Sequence, residues 1–222
     1  MAEGSASVKD TAVAAALAGI CVLPARPDGS KSPWPNNRAT WSEYKTRRPS
    51  KDELSRWFHQ QEAEGVGFVC GAVSGGLEMF EFEDMATYQA FLSLAEVMGV
   101  GDLVERVRSG YEESTPGGGI HWFYRCPEDV PQNKKLAQRP CPGAGDCDLP
   151  KCSKGPTSRH VLVETRGNEG WGVVAPSGGR THETGGSYTL LQGGIPTIKT
   201  LTPAEREALW RVARSLDEMP VR

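Results

Sequence analysis

No apolar run in these 222 residues approaches the ~18 that a membrane-spanning helix needs. The N-terminus has no basic start followed by an apolar core and a small-residue cleavage site. Secretion is therefore not expected, and the cytoplasm is the default location. A basic surplus is missing too: 25 Lys and Arg face 28 Asp and Glu, a formal net charge of -3 at pH 7. That excludes a protein held on nucleic acid by bulk charge alone, although an acidic site lowers the sum while basic patches persist elsewhere. Three such patches occur: Lys45, Arg47, Arg48 and Lys51; Lys134, Lys135 and Arg139; and Lys151, Lys154 and Arg159. Each suits either a solvated surface or a phosphate track.

What is present is an ordinary globular composition, 38% hydrophobic and 24% charged, with 26 glycines and 16 prolines that call for many turns. The length suits one domain over residues 1–222. Residues 8–19 have helix-forming composition and stop at Gly19; residues 20–23 form a short apolar strand closed by Pro24. Ser50 and Glu53 make a capping box that opens a helix through Trp57 and Phe58. Residues 65–71 and 77–84 read as strands and residues 84–98 as a helix. Residues 106–109 and 120–125 read as two more strands, and residues 162–165 and 172–175 as a β-hairpin turning at 166–170. Thr202, Pro203 and Glu205 start a last helix over residues 202–217. Strands interspersed with helices, without a repeated βα unit, give an α+β fold with a mixed sheet.

The most informative stretch is Leu77-Glu78-Met79-Phe80-Glu81-Phe82-Glu83-Asp84. On a strand, Phe80 and Phe82 point to one face and Glu81 and Glu83 to the other. Neighbouring carboxylates on a sheet repel each other, and strands do not favour Glu, so the pair calls for compensation. A divalent cation such as Mg²⁺ or Mn²⁺, which takes oxygen ligands, supplies it. The plain alternative is a solvent-facing edge strand.

Of the 6 cysteines, Cys141, Cys147 and Cys152 fall in one insert, residues 126–160, which ends at His160. In a cytosolic chain such clustering favours a metal over disulfides. Three thiolates and His160 would close a tetrahedral Zn²⁺ shell, with Cys126 as the alternative fourth ligand. The loop from Cys141 to Cys152 is too short and polar to bury a core, so a structural zinc would account for its order. Cys21 and Cys70 lie in apolar strands and read as small core residues.

Two further segments complete the pattern. In Thr115-Pro-Gly-Gly-Gly-Ile-His121, glycines whose amides can approach a phosphate precede a strand that carries a His able to donate to a phosphate oxygen. In Val163-Glu164-Thr165-Arg166-Gly167, a carboxylate ends an apolar strand; Glu164 joins the metal site if this strand lies beside that of Glu81 and Glu83.

In that order, Glu81-x-Glu83, Gly119-Ile120-His121 and Glu164 followed by Arg166-Gly167 resemble the motifs of the primase-polymerase (prim-pol) family, a branch of the archaeo-eukaryotic primase superfamily found in phages and plasmids. Val22-Leu23-Pro24, Lys31, Pro33, Trp41, Gly65-Val66-Gly67 and Ser74-Gly75 resemble the opening of such domains, and the likeness covers residues 8–180. The family usually has Asp-x-Asp or Asp-x-Glu, then Ser-x-His, then Asp; this chain has Glu at its three acidic positions and Gly119 for the serine.

The resemblance implies a catalytic sheet like that of an RNA-recognition motif (RRM-like), fused to an N-terminal α/β unit, with the cysteine insert as a zinc-binding stem. It implies that Glu81, Glu83 and Glu164 hold two Mg²⁺ or Mn²⁺ ions, and that His121 and the amides of Gly118 and Gly119 cradle an incoming NTP or dNTP. Arg166 would pair with a phosphate or a glutamate, or serve the turn. Basic residues near the insert would follow a single-stranded DNA template. The implied activity is template-directed nucleotidyl transfer that makes and extends primers in phage or plasmid replication, in the host cytoplasm if phage-encoded. The chain would be the N-terminal part of a longer protein carrying a helicase. Two rivals remain. A two-metal nuclease usually wants a lysine on the metal-bearing strands, and none flanks Glu83 or Glu164 in sequence. A non-catalytic zinc module binding single strands would use Phe80, Phe82 and Trp122 as stacking platforms.

Overall fold

A computed structural model describes residues 6–35, 40–143, 147 and 158–220. The first half runs α1 (Val8–Leu17), β1 (Cys21–Pro24), α2 (Lys51–Ser55) continued by a π-helical turn (Arg56–Gln60), β2 (Val66–Val69), β3 (Leu77–Phe82), α3 (Met85–Val97) and α4 (Gly101–Arg108). Then follow β4 (Tyr111–Ser114), β5 (Ile120–Arg125), β6 (Lys134–Pro140), β7 (Arg159–Arg166), β8 (Trp171–Val174), β9 (Thr189–Gly193), β10 (Lys199–Thr200) and α5 (Pro203–Arg214). Ser7, Ser50 and Thr202 close reciprocal capping boxes with Asp10, Glu53 and Glu205, which satisfies amides that the first turns leave open. No described helix is long and apolar enough to cross a membrane.

The strands form two sheets. The 3-stranded sheet has the order β1-β2-β8; the 7-stranded sheet runs β6-β7-β3-β5-β4-β9, with β10 alongside β5. One face of the larger sheet lies under α3, α4 and α5. There Phe80, Phe82 and Trp122 are fully buried with Phe91, the Phe82 and Trp122 rings 4.8 Å apart. They are core, which removes them as stacking platforms. On the other face Met79 and Phe123 pack against the smaller sheet, Phe123 meeting Phe68 edge-on at 5.4 Å. The upper part of that face, where Glu81 stands, is left uncovered by the smaller sheet and faces a cavity.

Two sequence expectations are corrected. Residues 106–108 belong to α4, which Ser109 caps, and not to a strand, because Leu103, Val104 and Val107 form a helical stripe on the core; the strand starts at Tyr111. β7 and β8 are not a hairpin: β7 pairs with β3 and β6, and β8 with β2 in the other sheet. The turn between them is tied elsewhere, the Cys70 amide donating to Gly170 O at 2.8 Å and the Asn168 amide to Pro131 O at 2.6 Å. Glycine at 67 permits the crossing, since a Cβ there would lie 2.5 Å from Gly172 O. β6, ahead of the cysteine loop, adds Leu136 and Ala137 to the core.

Two buried glutamates brace the helical face. Glu78 accepts from the Tyr124 hydroxyl and, at 3.3 Å, from Trp210 Nε1 of α5. Burial pushes its pKa up to about 7 in spite of these donors and the nearby Arg206. Glu112 accepts from Tyr88 (2.6 Å), Trp122 (2.7 Å) and Arg108 (2.9 Å). Its neighbour Glu113 points to the opposite face, as strand alternation requires.

Candidate active site

The register of four adjacent strands builds the site. Glu164 of β7 lies opposite Glu81 of β3, Glu81 opposite His121 of β5, and His121 opposite Glu113 of β4. Directly opposed residues share a face, so these side chains form one row across the sheet. Lys135 of the edge strand β6 stands opposite Glu164 and extends the row. Glu83, just past β3, joins from above: carboxylate oxygens of Glu81, Glu83 and Glu164 all lie within 4.8 Å of one another. Arg166 bridges the pair below it, bonded to Glu164 and 3.5 Å from Glu81. The row opens into a cavity of about 530 Å³ whose walls include Lys31, Thr115, His182 and Tyr188.

The electrostatics show an acidic cluster only partly compensated. Glu83 is exposed as a residue, yet desolvation of its carboxyl within the cavity, together with the charges of Glu81 and Glu164, raises its pKa to about 7. Burial likewise raises Glu164, against the pull of Arg166. Glu81 goes the other way: burial opposes its ionisation, but the hydrogen bond and charge of His121, with Arg166 and Lys31, hold it low. Burial would lower His121, yet hydrogen bonds to Glu113 and Glu81 dominate and lift it to about 9.

This all-oxygen donor set fits a hard divalent cation such as Mg²⁺ or Mn²⁺, whose charge would offset both the desolvation of Glu83 and its repulsion by Glu81 and Glu164. Arg166 provides part of the counter-charge without it.

A second cluster lies at the insert. Sγ of Cys141 and Cys147 and a ring nitrogen of His160 fall within 4.8 Å of one another, Cys147 Sγ being 3.2 Å from His160 Nε2. The β6–β7 ladder gathers them: Arg139 pairs with His160, and the Cys141 amide donates to Ser158 O at 3.0 Å. Sulfur and imidazole donors in this arrangement fit zinc. Cys152 lies outside the described residues. Cys126, the alternative ligand, is not in the cluster. It follows Arg125, which pairs with Leu77 at the start of β3, whereas His160 lies beyond the other end of that strand; Arg206 Nη1 approaches the Cys126 sulfur at 3.7 Å.

The glycine expectation is also corrected. The Gly118 amide donates to Thr115 O and the Gly119 amide to Thr115 Oγ1, both at 3.0 Å, so the hairpin turn engages the amides assigned to a triphosphate. Glycine is needed at 119 because a Cβ would lie 2.2 Å from Phe82 O. Thr115 and Gly117 line the cavity instead. The sequence reading missed Glu113, although the turn at residues 115–119 would have paired it with His121 had the strand been placed at Tyr111–Ser114.

Compared with known proteins, the chain matches one family model, Prim-Pol (bifunctional DNA primase/polymerase, N-terminal), over residues 12–210. No curated protein matches it.

Proposed function

The chain belongs to the Prim-Pol family of bifunctional DNA primase/polymerases, and from that premise we propose template-directed nucleotidyl transfer at the row of Glu164, Glu81 and His121. Membership implies primase or polymerase chemistry in replication, on DNA and nucleotides. The observation that carries our placement is the convergence of three carboxylates within 4.8 Å beside a buried histidine at one cavity.

Glu81, Glu83 and Glu164 would hold Mg²⁺ or Mn²⁺ in a two-metal arrangement. Such ions, when bound, acidify an attacking 3′-hydroxyl and stabilise the charge of a triphosphate. His121 presents Nε2 to the cavity as a phosphate donor. Arg166, whose guanidinium now spans Glu81 and Glu164, exchanges those partners for phosphate oxygens as the carboxylates are neutralised. Lys31 adds positive charge at the cavity wall. The exposed Lys134 and Lys135 on edge strand β6 lie beside the row and suit a single-stranded template. Cys141, Cys147 and His160, with Cys152, would hold a structural Zn²⁺. In this reading the 7-stranded sheet is the RRM-like catalytic sheet, and phage or plasmid replication is its setting.

One observation favours the nuclease reading: a lysine does stand across from Glu164, on the neighbouring strand. The deciding experiment is incubation with a primed DNA template, nucleotides and Mn²⁺ or Mg²⁺. Primer extension is expected, with a loss of at least about a hundredfold in Glu81→Ala/Glu83→Ala. Primer shortening would identify a nuclease, and single-strand binding without turnover a non-catalytic module. Extension that survives in the variant would move the site elsewhere.

A further inference from the structure

Glu113 ends the row, fully buried at 0% exposure. One of its oxygens lies 2.9 Å from His121 Nδ1. The other accepts from the Tyr111 hydroxyl at 2.9 Å and from the Ala175 amide at 2.8 Å. At that second oxygen the carboxyl accepts from both donors; where it accepts at the first one too, Nδ1 carries a hydrogen. The imidazole is thus held by its rear nitrogen, and Nε2 turns toward the cavity, 3.4 Å from Glu81. Tyr188 lies over the ring at 5.8 Å and Phe123 meets it at 6.4 Å, which restricts its rotation.

We propose that Glu113 is a positioning residue for nucleotidyl transfer: it fixes the ring orientation and the hydrogen-bearing nitrogen of His121 so that Nε2 meets a phosphate of the incoming nucleotide. The identity of that ligand rests on the function proposed above; the hydrogen-bond arrangement does not. A purely structural Glu113 would tie β4 to the segment after β8 through Ala175 and leave His121 indifferent to its replacement. The isosteric Glu113→Gln separates the two. The Tyr111 and Ala175 donors remain, so the glutamine oxygen turns to them and its NH₂ group faces His121. Nδ1 then becomes an acceptor, and the ring keeps its hydrogen on Nε2 alone, without the positive charge.

The test is ¹⁵N NMR of the His121 side chain in the full chain, joined to nucleotide-incorporation kinetics. The parent should show a hydrogen on Nδ1, and Glu113→Gln should show Nδ1 bare. The variant's KM for nucleotide should rise about tenfold with kcat within about threefold, as expected when one charge-assisted phosphate contact is weakened. Tyr111→Phe, which loosens the same carboxylate without facing His121, should leave the nitrogen pattern and KM as in the parent. A bare Nδ1 in the parent overturns the proposal, as does a Gln variant whose KM stays within about twofold of the parent. The parent's nitrogen pattern needs neither turnover nor a folded variant. It decides the role of Glu113 even where the parent fails to incorporate nucleotide, the result that would sink the functional reading itself.

Discussion

Strand β7 contributes to both candidate cation sites, His160 to one and Glu164 to the other, yet the chain builds them by opposite means. The three carboxylates come from central strands, or the residue just beyond one, and the ladder fixes their approach before any cation arrives. Desolvation, with the neighbouring charges of Glu81 and Glu164, raises the pKa of Glu83. The sulfur and imidazole donors come from the end of the β6–β7 ladder and the segment beyond it. Thiols are neutral until a metal displaces their protons, so these donors tolerate proximity without it. In the first site the fold holds the ligands for the ion; in the second the ion would hold the ligands for the fold.

The largest effects should come from exchanging one site for the other. Glu81→Gln is expected to reduce incorporation by about a thousandfold while zinc content, read by elemental analysis, stays at the parental level. His160→Ala should do the reverse, losing the zinc and lowering Tm by roughly 10 °C, or about 3 kcal/mol, with incorporation largely kept below that Tm. Cys126→Ser should keep its zinc. A His160→Ala protein with full zinc content would break the comparison.

A smaller effect concerns protons at the oxygen site. With the Glu83 pKa at about 7, the proton competes with a cation below that pH. Mn²⁺ affinity should therefore rise by up to about tenfold from pH 6 to pH 7 and level off above it. Calorimetric titration of the parent against Glu83→Gln checks this, and equal slopes in the two proteins would refute it.

Smallest is a control on the far face. Glu78 also has its pKa raised to about 7, chiefly by burial, and its partners are Tyr124 and Trp210 with Arg206 nearby. The folded form keeps this proton to higher pH than the unfolded chain. Its contribution to stability is therefore greatest below the ordinary carboxylate range and declines as pH rises to about 7. Glu78→Gln should remove about 3 kcal/mol of that decline in denaturant melts, and Mn²⁺ should leave the difference unchanged. A Mn²⁺-sensitive difference would mean that the two faces are coupled.

Features governed by local periodicity were legible in the sequence. The alternation of Phe80, Glu81, Phe82 and Glu83 follows from strand geometry, and the capping boxes at Ser50 and Thr202 from side-chain reach over three residues. What depends on distant partners was not. Arg-Val-Arg-Ser over residues 106–109 alternates like a strand, and only Leu103 and Val104 before it reveal the helical stripe. Whether β8 returns beside β7 or crosses to β2 depends on Gly67, more than a hundred positions away. The glutamates of the site were readable as a set, but the place of Glu113 behind His121 required the β4–β5 register.

That register also makes the row a matter of parity. Deleting one residue from β3 ahead of Glu81 would bring the aromatic side chains to the cavity and send the carboxylates into the core beneath α3. Two deletions would restore the face but slide Glu81 away from His121 and Glu164. The segment joining β6 to β7 carries no such constraint toward the row, since lengthening a connection adds little closure entropy and leaves the ladder in step. Insertions and deletions among descendants of this gene should therefore collect between β6 and β7 in any number, odd or even, while β3, β5 and β7 keep their lengths.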